Sequence, residues 1–461
     1  MPDRKIYGLT STTIFSLIAK FAVFAVGLGI MGILSTRTQL PACGSSSPLH
    51  VSVYNPPFGN IEAYTDYRDL YLRCLVNPFL SGKSAYNLPI VYNYPPLFLY
   101  TLAVFALENL VWFPGIPLVL FDALTVIPIY LIAKEFLFSG NEKLAFAVSL
   151  VWIFNPINMF YNDLMWLNPG PTTFFLALSI YLLLKQKLAY SAISLAIATG
   201  FKQTAVLVAP IFLIWMIKSM GFSKKILAYA ILYVSLLLLI SSPYIFQNPQ
   251  QYLWALQVPI LGNPPGTGSS APSSFVYDLS QPTRITTFIG LVRFADLKSL
   301  ALATYSVLNY LFIALYVVLL ARFLMDFGEL KRLLSYWSKR AFGRMKSSAE
   351  SIVRPHISLR QGIGANDLLV YCFVATLLFL SLFGRGIYKY YFAGITPLAL
   401  PLFATKRGMI IFTIFDIALL VIPREVTPWL AVLLITLAPG LFTQQNRNAG
   451  DLVQNQTTPA V

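Results

Sequence analysis

STTIFSLIAKFAVFAVGLGIMGIL, residues Ser11 to Leu34, is an apolar run preceded by a short segment that holds Arg4 and Lys5. A helix needs about 20 predominantly apolar residues to cross the hydrocarbon of a bilayer. The run is longer than the apolar stretch of a typical signal peptide. It therefore predicts a retained signal anchor with its N-terminus in the cytoplasm.

The remainder of the chain repeats the pattern. Of 461 residues, 57% are hydrophobic and 11% are charged, and the mean hydropathy is +0.68. Ordinary soluble domains carry about 25% charged residues, and no soluble fold of this size hides so much apolar surface. The expected class is all-α: a polytopic transmembrane helical bundle of about 12 spans, with one further re-entrant or interfacial helix. The spans are read at 11–34, 115–137, 144–161, 171–186, 188–201, 203–218, 226–245, 299–321, 367–383, 392–404, 408–422 and 428–443.

A net charge of +15 would point to nucleic acid in a soluble protein. Here the tendency of cytoplasmic loops to concentrate Lys and Arg accounts for it, and no nucleic-acid-binding motif argues otherwise. Lys185, Lys187, Lys218, Lys224, Lys225, Lys406 and Arg407 fall on one side. The basic loop 322–366, with Arg322, Lys331, Arg332, Lys339, Arg340, Arg344, Lys346, Arg354 and Arg360, falls there too. These blocks are expected to lie on anionic membrane lipids. The chain reads as one transmembrane domain, 1–461, with a long first external loop at 35–93 and a polar, disordered tail at 444–461.

Segment 94–113 has two readings. As an ordinary span it puts Lys134, Glu135, Glu142 and Lys143 outside and leaves the turn near 109–116 without a cation inside. As a re-entrant or interfacial helix entered through Pro95 and Pro96, it restores the positive-inside bias. Such backbone is tolerated where protein covers it.

With that topology, several polar clusters share the external face: Asp66 and Asp69 with Arg68; Tyr94, Pro95 and Pro96; Asp163 and Asn168; Lys202 and Gln203; Arg385, Tyr388 and Lys389. Ionisable groups at membrane depth cost about 2.5–3.5 kcal/mol on insertion scales and usually mark function. Asp66 or Asp69 at the mouth of a cavity would take a proton from an attacking hydroxyl; the alternative is a solvated acid paired with Arg68 or Arg73. Lys202 either snorkels at a span boundary or holds an anion. Arg385 and Lys389, among tyrosines, either grip a phosphate or anchor a span end. Asp122 and Asp416 are set aside as polar residues of helix packing, and Glu108 as lying near the re-entrant tip. Two distant histidines, His50 and His356, support neither a histidine metal site nor a Ser-His-Asp triad. Cys43 and Cys74 share the external loop and have the opportunity to form a disulfide; cysteine offers no metal site. No Walker-type glycine loop occurs.

The clusters resemble motifs of the GT-C superfamily, the polytopic glycosyltransferases that use polyprenyl-phosphate sugars. Tyr64-Thr-Asp66, Gly82-Lys-Ser-Ala-Tyr86 and Tyr92-Asn-Tyr-Pro-Pro-Leu97 are similar to the first external loop of the GPI mannosyltransferase I type. Arg68 stands where that loop has its second acid, so the acidic D-x-D pair is broken. Phe201-Lys-Gln-Thr-Ala and Ala209-Pro210 resemble a stretch of the dolichyl-phosphate-glucose glucosyltransferases. Asn155-Pro156, Asn168 and Ile387-Tyr-Lys389 are placed like further motifs of that family.

The resemblance implies an inverting hexosyltransferase, with mannose favoured over glucose. Its donor would be a polyprenyl- or dolichyl-phosphate sugar and its acceptor a lipid-linked or other glycan on the external or lumenal face. Asp66, with Asp69, would supply the base; Lys202, Gln203, Arg385 and Lys389 would hold the donor phosphate. Tyr94, Pro95, Pro96, Asp163, Asn168 and Tyr388 would shape the site. No cofactor is required, and a divalent metal is optional. The rival readings are a transporter or flippase and an inactive GT-C-like subunit. The membrane is either that of the endoplasmic reticulum or a prokaryotic plasma membrane.

Overall fold

A computed structural model describes residues 7–35, 75–87, 92, 94–106, 115–166, 169–261, 298–325, 364–382 and 389–421. Among the described residues the chain is helical throughout, with no strand. Six helices are long and apolar enough to cross a membrane, and three shorter apolar helices accompany them. The chain is a multi-pass membrane protein. Among the described residues, six of the 12 expected spans are matched by these helices.

Helix α1, Leu9–Ser35, is about 40 Å long at 1.5 Å per residue. Its buried positions are Thr12, Ser16, Lys20, Phe24 and Gly27. Steps of four and three residues place them on one narrow ridge. The opposite side exposes Ile14, Phe15, Ile18 and Val26, side chains suited to lipid.

Helix α2, Pro96–Ala106, has 11 residues, too few to cross. Pro96 is tolerated at its first position because the missing N–H has no intrahelical acceptor there. Residues 107–114, the rest of the re-entrant proposal, lie outside the described residues.

The rod α3, Gly115–Leu137, bends at Thr125, whose hydroxyl donates to the Phe121 carbonyl at 2.7 Å. It ends in a π-helical turn, Ala133–Leu137. Asn141 caps α4, Glu142–Leu164, by accepting from the Leu144 N–H at 3.1 Å. Pro156 cannot donate a backbone bond, so α4 breaks there. Asn155 restarts the helix as its cap, accepting from the Asn158 N–H at 3.0 Å. A second π turn, Met159–Leu164, follows. Such turns interrupt regular side-chain spacing and recur at functional sites.

Helices α5, Pro169–Leu184, and α6, Leu188–Phe201, form a tight hairpin. Ser179 and Ser191 each donate to the other's carbonyl, at 2.8 and 2.9 Å, and Ser194 donates to the Phe175 carbonyl at 2.8 Å. Small hydroxyl residues let membrane helices approach closely and join them by hydrogen bonds. Helix α7, Gln203–Met220, begins as a 3-10 turn and stops at Gly221, whose φ of 71° suits glycine. Helix α8, Lys224–Gln247, lies at the periphery and turns Leu227, Ile231, Val234, Leu238 and Leu239 outward. Helices α9, Pro249–Leu261, α10, Lys298–Leu324, and α11, Ala365–Leu382, follow, with α10 packed on α11.

The expected span at 392–404 folds otherwise. Two 3-10 segments, Lys389–Ile395 and Leu400–Ala404, flank Thr396-Pro397. Pro397 and Pro401 deny it a continuous ladder. It is enclosed by protein along most of its length, the setting in which irregular backbone is tolerated at membrane depth. Helix α12, Lys406–Val421, completes the described chain. The segments read as a basic loop and a polar tail lie outside the described residues, apart from 322–325 and 364–366, as does all of the first external loop before Leu75.

One end of the bundle gathers charge. Lys134 pairs with Glu142 at 2.5 Å and Lys185 with Glu135 at 2.8 Å. The bond to Glu135 holds the Lys185 ammonium above its ordinary pKa. Lys143 sits over the Tyr7 ring, and Tyr130 donates to the Tyr7 carbonyl. The start of α1, the α3–α4 turn and the α5–α6 turn therefore share that end.

Candidate functional site

Two buried polar centres stand out, each built around a lysine. The first surrounds Lys202, at the junction of α6 and α7. Its extended backbone, φ −150° and ψ 120°, breaks the helix there. The break turns the side chain onto the 3-10 segment Lys389–Ile395, with Nζ 3.9 Å from the centroid of the Tyr391 ring. A cation over an aromatic face is attracted by the ring quadrupole, by about 2 kcal/mol or more when desolvated. Beside Lys202 lies a small cavity of about 60 Å³. Thr172, Thr173, Thr204, Thr376 and Gly394 bring polar or bare surface to an otherwise apolar wall. One buried lysine, hydroxyls and an apolar lining meet at this place.

The second centre lies on α1, α3 and α4. Lys20 Nζ stands 2.7 Å from Asp122 Oδ2 and 2.9 Å from Asp163 Oδ2, and all three side chains have 0% exposure. The Asn162 amide donates to Asp122 Oδ1 at 2.6 Å, and the Trp152 ring lies under the ammonium at 5.3 Å. The π turn Met159–Leu164 lets the neighbours Asn162 and Asp163 both face inward. Seven residues before Asn162, Asn155 donates to Asp416 of α12 at 2.5 Å and to Thr396 at 3.3 Å. Asn155, Asn158, Asn162 and Asp163 thus form a buried polar stripe down α4.

The sequence candidates divide between these places. Lys202 reaches the cavity. Its neighbour Gln203 does not line it and instead donates to the Leu256 carbonyl of α9 at 3.4 Å. Lys389 opens the 3-10 segment that brings Tyr391 to Lys202; its side chain lies outside the described residues. Asp163 belongs to the Lys20 centre.

Tyr94, Pro95 and Pro96 do not line the cavity. The Tyr94 and Pro95 carbonyls accept from Tyr86 and Tyr92 at 2.8 and 3.0 Å. Tyr86 packs edge-on against Tyr244 and Tyr252, with centroids 4.6 and 4.9 Å apart. These residues make an aromatic joint between α2, α8 and α9. Asp66, Asp69, Asn168, Arg385 and Tyr388 lie outside the described residues, as do Cys43 and Cys74. Among the described residues no group of three or more His, Cys, Asp or Glu gathers to hold a metal ion.

Sequence reading missed Lys20, Asp122 and Asp416 as members of a centre. A lysine in the middle of the first apolar run was the available signal for Lys20. For the two acids it was a carboxylate within an apolar stretch.

No curated protein matches the chain. The family model of the GPI transamidase subunit PIG-U matches residues 75–264, from the aromatic joint through α9, less than half of the chain. That match overturns the expectation of a GT-C mannosyl- or glucosyltransferase. The inverting hexosyltransferase, the polyprenyl-phosphate sugar donor and the glycan acceptor fall with it, as do the transporter and flippase alternatives. In the structure Tyr86 and Tyr92 donate to the Tyr94 and Pro95 carbonyls, and Asp163 is bonded to Lys20. Over residues 75–264 the chain is similar to a subunit of a GPI transamidase.

Proposed function

We propose that the chain is a membrane-embedded subunit of a GPI-transamidase-type assembly and that it seats a phosphate-bearing lipid at Lys202. The observation that carries the reading is the family match over 75–264, which takes in α3 to α9 and the α6–α7 wall of the cavity. Subunits of GPI transamidases are proteins of the endoplasmic reticulum membrane, so the expected residence is that membrane. The cations of 185–187, 218–225 and 406–407 fit a cytoplasmic side that also holds the N-terminus.

In this reading the chain contributes binding rather than bond-making. The cavity offers an apolar wall for acyl chains, hydroxyls for a polar head and one ammonium for its phosphate. Lys389, at the start of the segment that carries Tyr391, is the second cation proposed for the phosphate. Arg385 and Tyr388, a few residues earlier in the chain, are proposed with it.

The test is twofold. Tagged protein purified in mild detergent is expected to bring down the other subunits of a GPI transamidase, and cells lacking it are expected to lose a GPI-anchored surface reporter. Protein that purifies alone, from cells whose reporter is anchored normally without it, would overturn the assignment. Lipid extracted from the complex is expected to be depleted of its phosphate-bearing glycolipid by Lys202→Met, with subunit composition unchanged.

A further inference from the structure

The Lys20 centre has a charge problem that its geometry states plainly. One ammonium faces two carboxyl groups, and none of the three side chains is exposed. Fully ionised, the centre would carry a net negative charge in a place closed to water and counter-ions. An unbalanced ion in a low-dielectric interior costs several kcal/mol even after relaxation.

The hydrogen bonds point the same way. Asp122 receives Lys20 on one oxygen and the Asn162 amide on the other. Asp163 meets only Lys20, through Oδ2, and its Oδ1 has no donor among the described residues. Both carboxyl groups stand within 3 Å of the same ammonium nitrogen, and two carboxyls so placed bond to each other only if one carries a proton. Asn162 Oδ1, in the same cluster, is a buried acceptor that also lacks a donor. Buried acceptors without donors are rare in native proteins. A neutral acid supplies the donor that the centre lacks.

We propose that Lys20, Asp122 and Asp163 bind one proton between them and dock α1 as a neutral ammonium–carboxylate–carboxylic acid cluster. Asp163 is the principal holder of the proton, because Asp122 already accepts from the Asn162 amide. The proton comes from water as the helices assemble, and nothing is oxidised or reduced. Among the described residues, the titratable groups that meet there are Lys20 from α1, Asp122 from α3 and Asp163 from α4. Helix α5 brings the backbone of Gly170 against the Asp122 side chain.

The site has a use in assembly. Lys20 sits roughly 16 Å along α1 from Leu9, far from either end. A lone α1 would carry that charge into lipid at about 2.5–3.5 kcal/mol. Docked on two acids that share a proton, it crosses with no net charge. The inference goes beyond the proposed function and does not depend on it, since the chain alone suffices for the test.

The experiment counts protonated carboxyls by infrared spectroscopy. Wild-type protein, Asp163→Asn, Asp122→Asn and Lys20→Met are reconstituted in nanodiscs, and the carboxylic-acid C=O band is identified by its shift in D2O. Asp416 remains in every sample as common background. With one acid left to one ammonium, both Asn variants form an ion pair and lose the acid that the cluster contributes. With no ammonium, Lys20→Met keeps both acids protonated and doubles it. The expected order is none, one and two acids for either Asn variant, wild type and Lys20→Met.

A wild-type band equal to that of Asp163→Asn would overturn the proposal, because the cluster would then hold no proton. A Lys20→Met band no stronger than wild type would do so as well. Should Lys20→Met fail to fold, the near-isosteric Asn variants decide the matter alone.

Discussion

Lys20 and Lys202 are both buried lysines in a membrane protein, and their surroundings are opposite. Lys20 is enclosed on one ridge of α1 by two carboxyl groups, an amide and an indole ring. Lys202 meets a tyrosine face at a break between helices and borders a cavity. In the first region the protein answers the charge with its own acids and leaves no room for a guest. In the second it leaves room beside the charge. A buried cation by itself therefore does not identify a binding site; the space next to it does. With Lys20 proposed for assembly and Lys202 for recognition, variants at the two are expected to behave differently.

The largest difference is expected in stability. Removing one partner of a buried ion pair typically destabilises by about 3–5 kcal/mol, and Lys20→Ala also leaves a cavity under Trp152. Thermal unfolding in nanodiscs, followed by tryptophan fluorescence, is expected to show a loss of that order. Asp163→Asn resembles the neutral acid and is expected to cost less than about 1 kcal/mol. Equal losses from the two would erase the distinction between the ammonium and the proton-bearing acid.

Packing around the two regions gives the next effect. A Cβ on Gly170 would meet the Leu118 carbonyl oxygen at 2.5 Å, a backbone atom that cannot turn aside, with Asp122 Cβ behind it at 3.5 Å. Gly170→Ala is expected to destabilise by about 1–3 kcal/mol, the usual range for overpacking. In the cavity wall, a Cβ on Gly394 would meet only the Thr173 hydroxyl, at 3.3 Å, a side-chain atom and not backbone. Gly394→Ala is expected to change the melting temperature little. A large loss from Gly394→Ala would mean that the cavity wall is as rigid as the Lys20 centre.

The contrast between the regions also sets what was legible in the sequence. Apolar runs of spanning length announced the helical bundle, because lipid demands that composition. The fold of each run was less legible, since the hydropathy of 392–404 does not reveal that Pro397 and Pro401 divide it into 3-10 segments covered by protein. Lys202 was legible because it interrupts two apolar runs at a helix boundary. Lys20 stood in the first run quoted, yet its partners sit 102 and 143 residues later, on helices whose packing no local pattern encodes. The π turn that brings Asn162 and Asp163 to the same centre was equally hidden. The tyrosine–proline motifs were visible, but not the bonds by which Tyr86 and Tyr92 donate to the backbone of Tyr94 and Pro95 and hold a joint together.

Lys202→Met exchanges a buried amine for an apolar side chain of similar length. Replacing a buried charge by a packed hydrophobe is often neutral or stabilising, so the melting temperature is expected to stay within a few degrees or rise. The functional readout moves instead: anionic lipid retained through purification is expected to fall, while neutral lipid is unchanged. Loss of both lipid classes would make Lys202 a structural residue and bring it closer to Lys20 than the geometry implies.

A third lysine calibrates the pair from the solvent side. Lys185 bonds Glu135 at 2.8 Å, a contact as short as those of Lys20, but its side chain is 45% exposed. Water and salt screen such a pair, and many surface ion pairs contribute nothing measurable. Because Glu135 raises the Lys185 ammonium above its ordinary pKa, whatever the pair contributes is present below that ordinary value and is lost as pH rises through the raised one. At neutral pH Lys185→Ala is expected to leave the melting temperature unchanged at physiological salt and to lower it slightly, if at all, at low ionic strength. A loss matching that of Lys20→Ala at high salt would show that distance, not enclosure, sets the worth of these lysines. The opposition between a closed charge and an open one would then have no energetic basis.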